Sequence, residues 1–167
     1  MVGAKPYRQG VGVALINAYG CVFVAQRIDT KSPAWQMPQG GINKGEKPHE
    51  AALRELHEEI GTNKAEIIAA TRSWLRYDLP KDLQTSAWKG KYSGQEQKWF
   101  LMKFMGTDND INIATAQPEF SAWKWLPFEH LPNVIVSFKK RIYEQVLREF
   151  GDRVATFTNN PEPNTQQ

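Results

Sequence analysis

Three glutamates at helical spacing are the residues of this sequence that most directly indicate chemistry. Glu55, Glu58 and Glu59 lie in the segment PHEAALRELHEEI, residues 48–60. At about 100° per residue, their side chains share an arc of about 100° around a helix. Carboxylates this close repel one another, and a divalent cation such as Mg²⁺ removes the repulsion because it prefers carboxylate oxygens. A bare glutamate pair is more often a solvated helix face, so the neighbouring residues have to decide between the two interpretations.

The same segment carries the start and stop signals of a helix. Pro48 suits the first helical position, and Gly61 suits the left-handed residue that follows the last turn. The apolar positions form one stripe beside the acidic arc, made of Ala52, Leu53, Leu56 and Ile60. Glu50 and His57 point away from both, so the three acids are expected to flank the core rather than face open water.

The rest of the chain predicts strands, one further helix and loops. Apolar runs predict strands at 11–15, 21–26, 67–70, 72–77, 99–105 and 122–125, the first two joined by a turn at 17–20. Residues 38–41 and 80–94 are predicted to lack regular structure. Apolar residues at helical spacing predict a terminal helix, and they are Phe138, Ile142, Val146, Leu147 and Phe150. Strands mixed with two helices predict an α/β (α+β) fold.

Length and composition favour one compact domain without disulfides. The chain has 167 residues, 41% of them hydrophobic, and a single cysteine. We expect the domain to cover residues 1–156 and residues 157–167 to form a disordered tail. No apolar run approaches the roughly 20 residues that span a bilayer, and the first residues lack the features of a signal peptide. A cytoplasmic location is therefore expected.

The charge is unevenly distributed, with an acidic segment in a chain that is otherwise basic. The formal net charge is +3, but residues 46–66 hold six Glu against three Lys and Arg. A mildly basic surface most often only aids solubility, so charge alone does not assign a polyanionic partner.

The residues around the acids complete a longer pattern. Gly40 is followed after five residues by Glu46, and after seven more by the run RELHEEIG, residues 54–61. This pattern resembles the signature of the Nudix hydrolases, apart from Thr62, where that family usually has an aliphatic residue. The resemblance implies a single domain with a mixed β-sheet sandwiched between helices. It also implies cleavage of a nucleoside diphosphate linked to another group, with Mg²⁺ or Mn²⁺ as the cofactor.

The resemblance further implies roles for the residues of the signature. Glu55, Glu58 and Glu59 would be metal ligands or the general base, and a backbone carbonyl near Gly40 would join the ligands. A water would attack phosphorus in line, with Glu55 as the first choice for the base and Glu59 as the second. The residues expected to brace the loop are Glu46 and Arg54.

A narrower resemblance runs over about residues 7–150. The chain resembles bacterial RNA pyrophosphohydrolases and the related plant-type asymmetric dinucleoside tetraphosphate hydrolases in the segments YR (7–8), AWQMPQGGI (34–42), WLRYDLP (74–80), GQEQKWFL (94–101), PEFSAW (118–123) and VSFKK (136–140). It implies a further metal ligand outside the signature at Glu119. The implied substrate-binding residues are Arg8, Arg27 and Lys139 for phosphates, and Phe138 or Tyr77 for stacking a base. Arginine forks suit phosphate oxygens, and an aromatic face accepts any base.

These residues favour removal of pyrophosphate from the 5′-triphosphate end of RNA, which leaves a monophosphate end. The near alternative is asymmetric cleavage of diadenosine tetraphosphate to ATP and AMP, and the sequence does not separate the two. A catalytically silent nucleotide-binding or RNA-binding module is the alternative of another class, and the intact set of glutamates argues against it. The expected partner is 5′-triphosphorylated RNA or a dinucleoside polyphosphate; neither a membrane nor a stable protein partner is indicated.

Overall fold

The computed structural model describes residues 5–29 and 33–157. The helices and strands in them are β1 (Tyr7–Ile16), β2 (Cys21–Arg27), β3 (Gln39–Gly41), α1 (Pro48–Ile60), β4 (Ala65–Ala70), β5 (Leu75–Asp78), β6 (Gly94–Phe104), β7 (Phe120–Pro127) and α2 (Lys140–Phe157). Short 3-10 turns lie in the connecting segments, among them Ala87–Gly90 and Ser137–Lys139. Of the described helices, neither α1 nor α2 has the length and hydropathy of a bilayer-spanning helix.

A mixed sheet forms the centre of the fold. Its order is β4-β6-β1-β2-β7, with β3 pairing on β1 and β5 on β6. β1 and β6 run parallel in unbroken register, from Tyr7 opposite Gly94 to Ile16 opposite Lys103. The other strand pairs are antiparallel. β1 is buried from Gly10 to Ile16, because this central strand has neighbours on both edges and packed layers on both faces.

The two faces of the sheet carry separate cores, each covered by one helix. On β6, Phe100, Met102 and Phe104 pack with residues of α1, whereas Trp99 and Leu101 pack with residues of α2. This alternation follows from the two-residue period of a strand. The sheet therefore lies between two helices, which confirms the predicted α/β (α+β) class and the layered arrangement that the resemblance implied.

Most predicted elements are confirmed, with altered ends. The helix at 48–60 and the hairpin with its turn at 17–20 occur as predicted. β6 begins at Gly94, ahead of the strand predicted from residue 99, because main-chain pairing with β1 and β5 extends it through polar residues. Phe138 lies in the 3-10 turn before α2 rather than in the helix itself. Residues 158–167 of the predicted tail lie outside the described residues.

The prediction that residues 38–41 lack regular structure is wrong, because Gln39–Gly41 form β3. This strand pairs antiparallel with β1, with Gly40 opposite Val11. A Cβ atom on Gly10 would lie 2.6 Å from the Gly40 carbonyl oxygen, so glycine allows an approach that a side chain would block. The pairing uses main-chain groups alone, and the side-chain pattern therefore gives no sign of it.

A buried hydrogen bond ties α2 to the segment that leads into β3. The Met37 N–H donates to the Tyr143 hydroxyl oxygen at 2.7 Å, and the two residues are 0% and 2% exposed. The substitution Tyr143→Phe should lower the free energy of unfolding by about 1–3 kcal/mol, because the buried N–H loses its acceptor. Urea denaturation measures the change. Tyr19→Phe, at a partly buried ring, is the control, and an equal loss in both variants would contradict the prediction.

Candidate active site

The fold buries the three signature glutamates to very different extents. The apolar stripe of α1 packs against the sheet, and Gly61, with a φ of 77°, ends the helix as predicted. Glu59 is 2% exposed, whereas the side chains of Glu55 and Glu58 are 13% and 58% exposed. The prediction that the acids flank the core is therefore confirmed for Glu55 and Glu59 and wrong for Glu58, whose side chain faces outward. His57 is exposed, as expected.

Gly40 lies against the Glu55 carboxyl group. A Cβ atom added to Gly40 would lie 2.0 Å from Cδ of Glu55, so only glycine leaves room for the carboxylate here. Gly40 belongs to β3 and Glu55 to α1, so the pairing of β3 with β1 sets the main chain beside the acid. The structure thus brings together two residues that the signature implies as metal ligands.

Arg54 joins the loop before α1 to the acids on α1. Its Nε and Nη2 donate to the two Glu46 carboxylate oxygens at 2.8 and 2.9 Å, and Nη2 also donates to the Gly41 carbonyl oxygen at 2.9 Å. Its Nη1 donates to Glu55 and to Glu58, both at 3.1 Å. The hydrogen bond from Arg54 lowers the pKa of Glu46 to about 2. This fork connects the loop and the helix at one point.

Glu59 is a carboxyl group buried inside the core. Neither of its oxygens has a hydrogen-bond partner among the residues that the structure describes. Burial raises the pKa of Glu59 well above its ordinary value, and the charges of Glu119 and Glu55 raise it further. A divalent cation beside these acids would supply the missing positive charge, so the residues present fit such an ion.

The acidic side chains of the site do not form a ready-made metal-binding cluster in the described part of the chain. In the described part of the chain, no three His, Cys, Asp or Glu side chains are arranged to hold one metal ion directly. Arg54 engages one oxygen each of Glu55 and Glu58, which leaves the second oxygen of each carboxylate for another partner. The fit to a hard cation therefore rests on the oxygen donors and on the buried Glu59 carboxyl group, whose oxygens lack hydrogen-bond partners among the described residues.

A polar cavity of about 250 Å³ brings acidic and basic candidates together. It is lined by five residues that the sequence singled out, namely Arg8, Arg27, Gly40, Glu55 and Glu119. They come from β1, β2, β3, α1 and the segment before β7, so only the tertiary fold assembles them. The cavity combines cations suited to phosphate oxygens with carboxylates suited to a divalent cation.

Two of the signature acids line a second cavity. Glu58 and Glu59 lie on a cavity of about 570 Å³, which shares Glu119 with the polar cavity. Glu119 therefore joins the two spaces, although it lies far from the signature in sequence. Three acids from α1 and one from the segment before β7 thus surround the junction.

Tyr77, Phe138 and Lys139 form an aromatic cluster next to Gln95. The ring centroids of Tyr77 and Phe138 are 5.7 Å apart, and the Lys139 Nζ lies 5.5 and 5.8 Å from them. The Tyr77 hydroxyl donates to Oε1 of Gln95 at 3.1 Å, and Gln95 lines the polar cavity. Tyr77 is only 7% exposed, so Phe138 has the more accessible ring. Burial, and then the charge of Arg27, lowers the pKa of Lys139 to about 8.

The two arginines of the polar cavity are held by residues that the sequence did not single out. Arg27 donates through Nε and Nη2 to Asp29 at 2.8 and 2.6 Å. The guanidinium carbon of Arg8 lies 5.2 Å from the ring centroid of Trp88, which also lines the cavity. Trp88 lies in the segment predicted as a loop, where no periodicity marks it. Gln95 could have been found from the sequence, because it belongs to GQEQKWFL, one of the segments that carry the narrower resemblance.

Comparison with known proteins gives one matching family and relatives of high identity. The NUDIX domain family matches residues 6–146. The RNA pyrophosphohydrolase of Roseobacter denitrificans is 60% identical over 151 residues, which are 89% of this chain and 94% of that protein. The RNA pyrophosphohydrolase of Rhodospirillum rubrum is 56% identical over 146 residues, which are 87% of this chain and 88% of that protein.

Solved structures share the fold at lower identity. The E. coli dihydroneopterin triphosphate pyrophosphohydrolase aligns with a TM-score of 0.65 at 20% identity, covering 87% of this chain and 99% of its own. A C. elegans Ap4A hydrolase binary complex aligns with a TM-score of 0.64 at 21% identity, covering 88% of this chain and 98% of its own. At these identities the likeness supports the fold alone.

The burial of Glu59 predicts that replacing it raises the Tm of the metal-free protein and reduces the stabilisation that added metal gives. Because the folded state raises its pKa, the ionised carboxylate destabilises the metal-free protein, and this cost grows as pH rises above the ordinary pKa of glutamate. Glu59→Gln should therefore raise the Tm in EDTA at pH 7.5 by ~3 °C or more. It should also reduce the further rise in Tm that Mg²⁺ or Mn²⁺ produces in the wild type.

Thermal unfolding in EDTA and in added metal measures both effects. Glu66→Gln is the control, because Glu66 is exposed on β4 and should change neither value. A lower Tm of Glu59→Gln in EDTA, or an unchanged metal response, would contradict the assignment of Glu59 to the metal site.

Proposed function

The chain belongs to the NUDIX domain family, and on that premise we propose that it removes pyrophosphate from the 5′-triphosphate end of RNA, leaving a 5′-monophosphate. The observation that carries the proposal is the polar cavity, in which Arg8 and Arg27 lie with Glu55, Glu119 and Gly40. Such a cavity suits a polyphosphate that bears several negative charges and needs cations from both the protein and a metal. The choice of RNA is supported by the 60% and 56% identity to relatives that are named RNA pyrophosphohydrolases.

Nudix hydrolases generally use divalent metals, and we propose Mg²⁺ or Mn²⁺ for this chain. The proposed ligands are drawn from Glu55, Glu58, Glu59 and Glu119, with the Gly40 carbonyl as a further oxygen donor. When bound, the cation supplies positive charge that lowers the pKa of a water and neutralises the leaving phosphate. Glu59 supports this choice most strongly, because its carboxyl group is buried and neither of its oxygens has a hydrogen-bond partner among the described residues.

The chain's own residues divide the remaining tasks. Glu55 is the preferred base, since its carboxyl group lines the polar cavity and is held by Arg54 at 3.1 Å; Glu59 remains the second candidate. Arg8 and Lys139 bind the phosphates of the substrate, and Arg27 contributes through Nη1, which its pairing with Asp29 leaves free. Phe138 offers the accessible ring to a base, and Tyr77 supports it from the buried side.

We assign this activity to a domain of residues 1–156 and place it in the cytoplasm. The family match over residues 6–146 supports the domain, and α2 continues beyond that match to Phe157. The proposed partner is the 5′ end of an RNA chain.

The test compares two substrates under identical Mg²⁺. A 5′-triphosphorylated RNA oligonucleotide and diadenosine tetraphosphate are each given to the purified protein, and kcat/KM is measured for both. We expect monophosphorylated RNA as a product and a higher kcat/KM for the RNA. A thousandfold preference for the dinucleotide would overturn the RNA assignment, and no metal-dependent release of phosphate products from either substrate would indicate a binding module.

Glu58 provides a direct test of the ligand set. Its side chain is 58% exposed, so Glu58→Gln should leave the fold intact while turnover with Mg²⁺ falls by ~100-fold. Steady-state kinetics and thermal unfolding measure the two properties. Glu144→Gln on the exposed face of α2 is the control, and near-normal turnover of Glu58→Gln would remove Glu58 from the proposed ligands.

Lys139 predicts a pH dependence of substrate capture. Because its pKa is lowered to about 8, the side chain is charged below that pH and becomes neutral above it. We expect kcat/KM of the wild type to fall by up to ~10-fold between pH 7 and pH 9, as the charged fraction of Lys139 falls. Lys139→Arg should flatten this decline, since arginine stays charged throughout. Identical pH profiles of kcat/KM for the two proteins would contradict a role of Lys139 in binding phosphate.

A further inference from the structure

We propose that Trp88 is a positioning residue, which holds the Arg8 guanidinium in the polar cavity so that its N–H groups stay free for substrate phosphate. The inference rests on the proposed function of that cavity. Trp88 lies outside every motif in the sequence, and it lines the cavity together with Arg8, Glu55 and Glu119.

Arg8 is held by contacts that leave its donors unused. Its guanidinium carbon lies 5.2 Å from the Trp88 ring centroid. On Gly41, an added Cβ atom would lie 2.3 Å from Nη2 of Arg8, so the guanidinium also rests against the Gly41 main chain. An indole face attracts a cation through its quadrupole and forms no hydrogen bond with the N–H groups at the guanidinium edge.

The other arginines near the site are held in the opposite manner. Arg27 is paired with Asp29 at 2.6 Å, and Arg54 is paired with Glu46 at 2.8 Å. Within residues 5–29 and 33–157, Arg8 has neither an ion pair nor a side-chain hydrogen bond. A carboxylate partner would fix Arg8 but would also occupy its donors and cancel its charge. An aromatic partner fixes the side chain without that competition.

The backbone around Trp88 has an unusual conformation that sets the direction of the indole. Trp88 has φ 50° and ψ 38°, and Lys89 has φ 59° and ψ 26°, so two successive residues with side chains occupy the left-handed region. Gly90 follows with a φ of 73°. Residues other than glycine adopt this conformation at a cost, and they keep it only where surrounding contacts hold them.

Contacts of that kind surround Trp88. Its ring lies edge-to-face with the Tyr92 ring at a centroid distance of 6.0 Å, and the indole packs against the core on the α2 side of the sheet. The Lys91 N–H donates to the Trp88 carbonyl oxygen at 3.2 Å, which closes the turn. The indole is thereby held between the core and Arg8, and its place in the cavity depends on the turn rather than on a helix or strand.

Removal of the indole should weaken substrate binding without changing the attack on phosphorus. Trp88→Leu should raise KM by ~10-fold, within the range expected for loss of a cation–π contact, and should change kcat by less than ~2-fold. Trp88→Phe keeps an aromatic face and should retain KM within ~3-fold of the wild type. The Cβ atom of Gly41→Ala would lie too close to Nη2 of Arg8 and displace the guanidinium. This variant should therefore raise KM although Trp88 is intact.

A double-mutant cycle tells a positioning role from a direct or purely structural one. In an Arg8→Ala background, Trp88→Leu should change KM by less than ~2-fold, because the group that it positions is already gone. A full tenfold effect in that background, or equal losses in Trp88→Phe and Trp88→Leu, would overturn the proposal. A fall in kcat at unchanged KM would also overturn it.

The matched control is Trp74→Leu. Trp74 is likewise partly buried, and the Lys98 Nζ lies 5.9 Å from its ring, but it does not line the polar cavity. Its kinetics should equal those of the wild type. All variants are measured with both triphosphorylated RNA and diadenosine tetraphosphate, and for binding of inorganic tripolyphosphate with Mg²⁺ by calorimetry. Loss of tripolyphosphate affinity in Trp88→Leu then supports the role of Trp88 even if RNA is not the substrate.

Discussion

The carboxyl group of Glu59 buried inside the core is the constraint on which the site depends. An ionised carboxylate is expensive to bury, and Glu55 and Glu119 add like charge beside it. A neutral residue of similar size would pack here at lower cost. The fold keeps the acid where the proposed cation would compensate it, so the group that is expected to lower the stability of the metal-free protein would raise that of the metal-bound one.

Close approach of main chains lets the Glu55 carboxyl group reach the polar cavity. β3 pairs with β1 through glycines, and the Gly40 main chain meets the Glu55 carboxyl group without an intervening side chain. On the other side of β1, a Cβ atom on Gly12 would lie 2.4 Å from the Trp99 ring, so glycine also admits a large core residue there. The absence of side chains at these positions is what allows helix, strand and core to converge.

The basic residues near the acids fall into two groups with different electrostatic consequences. Arg54 and Arg27 are bound to Glu46 and Asp29, so much of their charge is already compensated and their side chains are fixed. Arg8 rests on an aromatic ring, and its charge is available to a polyanion. This division leaves the charge of Arg8 available beside an acidic cluster, although the formal net charge of the chain is only +3.

The local features of this protein follow from its sequence. Spacing and capping rules predict the helix at 48–60, its ends at Pro48 and Gly61, and the shared arc of three glutamates. They do so because these features depend on contacts within a few residues. The alternation of β6 between two cores follows in the same way. The Nudix signature adds the candidate roles, because it records spacings along the chain.

Only the tertiary structure decides how deep each acid lies and which cation each anion meets. A helical wheel puts Glu59 beside the apolar stripe and Glu58 about 100° away from Glu59, but it gives no depth of burial. Packing of α1 against the sheet buries Glu59 and leaves Glu58 exposed. β3 and the turn that carries Trp88 have no side-chain periodicity, because main-chain pairing and left-handed backbone angles form them. Burial, pairing and close approach depend on residues that are distant in sequence, and the spacing of residues along the chain does not specify them.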